Sequence, residues 1–504
     1  MAKDHDAAIR VMYAALVMGI LGDCLFRAVP LGLNTSIWIV ALAGIAAWLV
    51  LEHGSSRSPA LPWLGAVAVL FAIAMAWRDS AVLKAVCLAG IFVDLTLAYM
   101  VFSADRSLRH ASVWQLGRAA LGVSLNALAG LPPLIVSDLD FKSRKTQLQS
   151  ANMFAIGRGL LISVPILLVF GALLISADEA FHRLVASFVD FSFSELFTHL
   201  AIVVLFGWGV AGYLRGFLSG KPLPGNKASE RPAKRLGIID IGLPLALLDV
   251  LFLSFVIIQF KYFFGGHSHV QATTGLVYSE YARRGFFELV TVAALVLPLL
   301  LICHTLLDKS DPDHEFAFRL LAGVQVLLLF VIMLSAFQRM RLYQQEYGMT
   351  ELRFYTVAFM GWLAAVFVCF GFTVLRGRSE GFAFMSLIAA LAIAAALLVA
   401  NPDALIVRTN AARAEAGHNE AGHHFDVEYN SSLSVDAIPA LISALPRLKQ
   451  PERGRIANVL LLQSESLAND DWRSWSLSRR NARLAIESVK PDLDRWAGEL
   501  DDKR

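Results

Sequence analysis

The chain has 504 residues, of which 57% are hydrophobic and 17% charged, with a formal charge of +3 and a mean hydropathy of +0.59. Soluble domains carry about 25% charged residues, so a soluble globular enzyme is excluded as a class, and so small a net charge gives no footprint for nucleic acid. Cys24, Cys87, Cys303 and Cys369 all stand in apolar runs without a CxxC partner, which argues against a disulfide framework or a thiolate metal site.

Apolar runs of about 18–25 residues recur along the chain, each long enough for the roughly 30 Å hydrocarbon core of a bilayer. In chain order they predict spans near 9–27, 34–52, 60–77, 80–103, 158–176, 195–216, 238–260, 285–308, 316–338, 354–375 and 383–400. The first follows a short charged N-terminus and lacks a small-residue cleavage site, so it reads as a retained anchor. Segment 113–139 is apolar but carries Arg118, Asn126 and the Pro132-Pro133 pair, and it is expected to be interfacial or re-entrant. Were it to span, the orientation of everything after it would invert. Lys and Arg concentrate in loops 104–157, 217–237 and 376–382. The bias of these residues toward the cytoplasm then places the N-terminus inside and, after eleven spans, the C-terminus outside the inner membrane.

From Asn401 the composition turns polar and no further span follows. Asn401 is placed to cap a helix with Pro402 at its first position, and Ser434 is a second capping candidate. "RGRIANVLLL" and "DWRSWSLSRRNARLAIESV" read as short amphipathic helices. The expected fold is all-α: a polytopic transmembrane helical bundle of about eleven spans over 1–400, with a small helical extracytoplasmic C-terminal region over 401–504. Membrane lipids are its expected partners, with an envelope protein held through 401–504. No cofactor is specified.

Polar residues at span ends and inside spans are the candidate functional groups, because a charge at the bilayer centre costs about 2.5–3.5 kcal/mol. In "YSEYARRGFFELV", Tyr281, Arg284 and Glu288 share one helical face, with Arg283 beside them. Arg284 and Glu288 are expected to form a buried pair against 341–353. In that second stretch Tyr343 and Tyr347 share a face, Gly348 suits a helix stop, Thr350 suits an N-cap and Glu351 falls in the first turn. Arg341 and Arg353 flank the break. The orientation above adds Asp23 with Arg27 as an i,i+4 pair, and Asp178 after the fifth span. All of these would gather at one outer face, either as a shared polar site or as ordinary loop charges. Asp94, Asp249 and Gln325 lie inside spans, where a carboxyl either relays a proton or ion or acts as hydrogen-bonded helix glue.

"YSEYARRGFFELV", "RMRLYQQEYGMTELR", "NPDALIVRTN" and "YNSSLSVDAIPAL" together resemble the bacterial membrane family known as domain of unknown function 4173, related to 4153. The resemblance runs over about 150–445, with Met349 standing where that family has leucine. It implies a membrane protein and no particular activity.

His267 and His269, and His418, His423 and His424 with Asp426, match no zinc spacing. Walker A, GxGxxG and GxSxG patterns are absent. Three functions remain open. One is a scaffold or sensor whose tail binds an envelope partner, which is the preferred reading. Another is an ion- or proton-coupled transporter using Asp94 and Asp249. The third is an envelope enzyme that would clamp a lipid-linked or anionic substrate with Arg284, Arg341 and Arg353, with Glu288 or Glu351 as base.

Overall fold

A computed structural model describes residues 2–27, 29–53, 60–104, 108–138, 163, 193–219, 235–416, 424–468 and 471–501 apart from 265–285. The protein is a multi-pass, all-α bundle, and ten of the described helices are long and apolar enough to cross a membrane. These ten are α1 (Ala2–Phe26), α2 (Leu33–His53), α3 (Ala60–Trp77), α4 (Ala81–Ala104), α6 (Phe193–Ser219), α7 (Ile238–Phe264), α8 (Phe286–Leu306), α9 (Pro312–Tyr347), α10 (Glu351–Thr373) and α11 (Phe382–Ala400). They coincide with the hydropathy spans. The predicted span at 158–176 lies outside the described residues.

The helices form two groups. In the first, α1 packs antiparallel on α6, and α2, α3 and α4 follow as a meander. Small residues set the closest crossing: a Cβ on Gly19 would meet the Val203 carbonyl oxygen at 2.5 Å, and one on Gly207 the Ala15 carbonyl oxygen at 3.1 Å. Such backbone contact is how helices associate where lipid removes the hydrophobic drive. In the second group, α7 lies along α9, which also holds α8 and α10, around a core of Phe318, Leu329, Phe367 and Phe370. The groups meet where α3 and α4 face α10 and α11.

α5 (Val113–Ala129) opens with a capping box, in which the Ser112 hydroxyl accepts from Gln115 N–H and the Gln115 side chain accepts from Ser112 N–H. Its contacts run across the ends of the spans. Trp114 Nε1 donates to Thr305 Oγ1 (3.1 Å) in the last turn of α8. At its other end Asn126 packs on Gly212 and Gly216, near the end of α6.

The C-terminal helices are α12 (Pro402–Ala416), α13 (Val427–Ser432), α14 (Ile438–Ala444), α15 (Glu452–Ala468) and α16 (Leu477–Asp501). Ile406, Ala437, Leu441, Ile456, Leu460, Ala482 and Ile486 give them a core of their own. This region sits on the end of the bundle opposite α5, where α1, α3, α9 and α11 finish and α2, α4 and α10 begin.

Candidate functional site

The densest buried polar group lies where the C-terminal helices meet the bundle. Ser434 caps the short turn that carries Asp436, its hydroxyl accepting from Asp436 N–H (3.3 Å). The turn points the Asp436 carboxylate at the start of α4. There Oδ2 accepts from Asp79 N–H (2.8 Å) and Ser80 N–H (2.7 Å), in the two residues that lead into α4. A carboxylate in this place also complements the positive end of the helix dipole. The Ser478 hydroxyl on α16 lies against Asp436 Oδ1 and the Trp77 carbonyl, and the Arg78 guanidinium is 3.7 Å from the same carboxylate. Asp436 is 3% exposed, so these partners replace its water.

Around this latch the loop before α4 is tied down by charge. Lys84 bridges Asp79 (2.5 Å) and the Leu31 carbonyl (2.7 Å), Arg479 approaches Asp79 at 3.2 Å, and Arg78 Nε donates to the Leu398 carbonyl (2.8 Å). Arg473 donates to the Cys24 carbonyl (2.9 Å), and Leu33 N–H to the Trp475 carbonyl (3.0 Å).

The second half of the junction is the break at 347–351. α9 ends at Tyr347, Gly348 takes φ +78°, and Thr350 caps α10 by accepting from Arg353 N–H (3.5 Å). Thr350 and Glu351 thus fall where the sequence expected them. Asn410 holds the break through both backbone groups of Met349, accepting from its N–H (2.7 Å) and donating to its carbonyl (2.9 Å), and it also donates to Asn430 (3.0 Å). The Tyr429 hydroxyl accepts from Glu351 N–H (2.6 Å), and burial holds this phenol above its usual pKa, so it stays neutral. Arg413 donates to the Glu346 carbonyl (2.9 Å).

Asp403 is fully buried. The Ser434 hydroxyl donates to its Oδ2. Burial first, and then the charge of Asp436, push its pKa above the ordinary carboxylate value. Glu351, Asp403 and Asp436 all lie within electrostatic reach of Tyr355 on α10. Among the described residues no group of three or more His, Cys, Asp or Glu side chains could hold a metal ion.

The expected outer cluster divides. Tyr343 and Tyr347 do share a face, with ring centroids 5.1 Å apart, and the Arg353 guanidinium lies 4.0 Å from the Tyr343 ring centroid. Arg353 also donates to the Gly348 and Tyr347 carbonyls, so its cation is spent on chain geometry instead of an anion clamp. Arg341 is exposed. Asp23 and Arg27 meet through His199 of α6, which neither charge pattern nor spacing brought to notice. Arg27 donates to Nε2, which leaves the ring proton on Nδ1 to bond Asp23 Oδ2 (2.5 Å). Among the described residues no hydrogen bond or ion pair joins this trio to the 343–353 group.

Glu288 corrects the expectation of a buried pair, because it is exposed in the first turn of α8. A carboxylate there is favoured by the helix dipole, and among the described residues it forms no ion pair with a basic side chain. Asp178, Tyr281, Arg283 and Arg284 lie outside the described residues, as do His267, His269, His418 and His423.

Asp94, Asp249 and Gln325 are buried at 4%, 7% and 0% exposure. They do not form one path: Asp94 stands on α4 in the first helix group, Asp249 and Gln325 on α7 and α9 in the second. Among the described residues, neither Asp249 oxygen nor either Gln325 amide atom has a hydrogen-bond partner.

The residues the sequence reasoning missed are chiefly Asp436, Ser478, Asp79, Ser80 and His199, and of these only Asp436 had an available signal. Asp403, Asn410, Tyr429, Asn430, Ser434 and Asp436 stand within the stretches "NPDALIVRTN" and "YNSSLSVDAIPAL", and they are the groups that build the junction.

No curated protein and no solved structure matches the chain. A family model, Domain of unknown function (DUF4153), matches residues 65–444, which takes in the bundle from within α3 onward together with Asp79, Ser80 and Asp436 but not α16. With more than half its length covered by that match, the chain belongs to the DUF4153 family.

Proposed function

We propose that the protein is an envelope scaffold or sensor of the inner membrane, in which the C-terminal helices form a platform fixed to the extracytoplasmic end of the bundle and present their outer surface to a protein partner. The observation that carries this reading is the latch: a buried carboxylate from the platform binds the backbone that leads into a membrane helix some 350 residues away in sequence. A domain needing only proximity would be tethered by a linker, whereas a buried charge-assisted junction fixes the platform against the bundle. The orientation is supported by the basic loops 104–157, 217–237 and 376–382, which join helix ends on the side away from the platform. α5 is then an interfacial helix on the cytoplasmic side.

Photo-crosslinkers at Leu462 and Leu484, exposed on α15 and α16, test the reading. A discrete adduct with one envelope protein is expected, lost in Asp436→Ala at unchanged chain abundance. Adducts that persist unchanged in Asp436→Ala, or a cation-dependent flux in liposomes lost in Asp249→Asn, would overturn it.

A further inference from the structure

The run Asp471-Trp472-Arg473-Ser474-Trp475 forms a short turn just before α16. Asp471 caps it by accepting from Arg473 N–H (2.9 Å). The same carboxylate takes the Arg473 guanidinium, with Nε 3.0 Å from both oxygens and Nη2 2.6 Å from one. The two charges therefore offset each other within the turn. The side chains left facing outward are indoles: Trp472 is 61% exposed and Trp475 38%.

The turn is pinned at the depth where two spans end. Arg473 Nη1 donates to the Cys24 carbonyl (2.9 Å) in the last turn of α1, and the Trp475 carbonyl accepts from the N–H of Leu33 (3.0 Å), the first residue of α2. Between those spans, a Cβ on Gly32 would meet the Ser474 carbonyl oxygen at 2.5 Å and the Trp475 carbonyl oxygen at 2.9 Å. The turn thus lies backbone against backbone on the α1–α2 connection. The headgroup layer outside the hydrocarbon core is roughly 5–8 Å deep on each side, so a turn bonded directly to terminal residues of two spans falls within it.

Indoles favour that layer, because the ring is apolar and its N–H seeks a polar partner. At the opposite end of the bundle the exposed tryptophans are Trp48, Trp63 and Trp114, on α2, α3 and α5. At the platform end, among the described residues, they are Trp472 and Trp475. On this side the platform, and not the spans, supplies the exposed indoles.

We propose that this turn is a membrane anchor, with Trp472 and Trp475 seated in the headgroup–acyl boundary of the leaflet on the platform's side. Their partner is the bilayer itself. The Asp471–Arg473 pair fixes the backbone and adds no net charge at that depth. The platform is then held at two places, by the Asp436 latch ahead of α4 and by indoles in lipid beside α1 and α2. The anchor holds whichever compartment that side faces, so it stands or falls apart from the envelope reading.

The test places benzoylphenylalanine at Trp472, Trp475, Trp48 or Leu462 of the full chain, which is irradiated in phosphatidylcholine vesicles. Trp48 is the reference on a spanning helix, and Leu462, exposed on α15, is the reference on the platform. Phospholipid adducts are expected at 472 and 475 as at 48, and about tenfold more often than at 462, the ratio that ~1.4 kcal/mol of preference corresponds to. A second measurement needs no photoreactive residue. Trp472→Phe with Trp475→Phe should remove part of the fluorescence that brominated phosphatidylcholine quenches. Absence of lipid adducts at both 472 and 475 while 48 gives one, equal yields at 472 and 462, lipid quenching unchanged in the double variant, or a chain–chain adduct at 472 or 475 would each overturn the proposal.

Discussion

Replacing Asp436 with alanine removes the acceptor for two backbone N–H groups at the start of α4, at 2.8 and 2.7 Å. Hydrogen bonds to a charged acceptor contribute about 1.5–3 kcal/mol each. Two of them give about 3 kcal/mol even at the low end, before the Ser478 contact is counted. At 1.4 kcal/mol per decade, local opening should become about a hundredfold more frequent. Hydrogen–deuterium exchange reads this directly in the peptide carrying Asp79 and Ser80. Asp436→Asn should fall between, because its amide oxygen accepts one N–H while its NH₂ opposes the other. Exchange at the Ser112–Gln115 cap, at the opposite end of the bundle, should not change in either variant. If the Asp79–Ser80 peptide exchanges at the same rate in Asp436→Ala, the carboxylate does not hold the junction and the latch reasoning fails.

Further outcomes are specific to single residues. Asp403 holds its proton longer in the folded chain than in the unfolded one, so its contribution to stability is complete below the ordinary carboxylate pKa and is lost as pH rises through its raised folded value. The melting temperature should fall over that window, and Asp403→Asn should flatten the dependence. Gly348→Ala should destabilise by about 1–3 kcal/mol, since φ +78° with ψ 177° is a region only glycine adopts readily and a Cβ would meet Asn410 Oδ1 at 2.9 Å; an unchanged melting curve would contradict the geometry of the break. Glu288→Gln should shift stability by less than about 1 kcal/mol, as expected for an exposed carboxylate, and a loss of several kcal/mol would restore the buried pair.

Hydropathy made the bundle legible because a span must satisfy its own backbone and face lipid, so its signature is local. The break at 347–351 was legible for a similar reason: Gly348, Thr350 and Glu351 each carry a terminus preference within one turn. The latch was not, because Asp436 and Ser80 are 356 positions apart and nothing local distinguishes a capping carboxylate from a solvated one. His199 was hidden by an apolar surrounding, and only its approach to both Asp23 and Arg27 gives it a role. Charge pairing along one helix misled at Glu288, where a shared face with Arg284 was read as burial although the first turn of α8 leaves that carboxylate exposed.

The most direct test of the platform reading is the side of the membrane on which the platform stands. Leu484→Cys on α16 and Arg109→Cys at the opposite end of the bundle can each be probed with a membrane-impermeant maleimide, in a background where the exposed Cys24 is replaced by serine. In intact spheroplasts the cysteine at 484 should label fully and the one at 109 only after lysis. Labelling at 109 in intact spheroplasts with protection at 484 would put the platform in the cytoplasm and contradict the account.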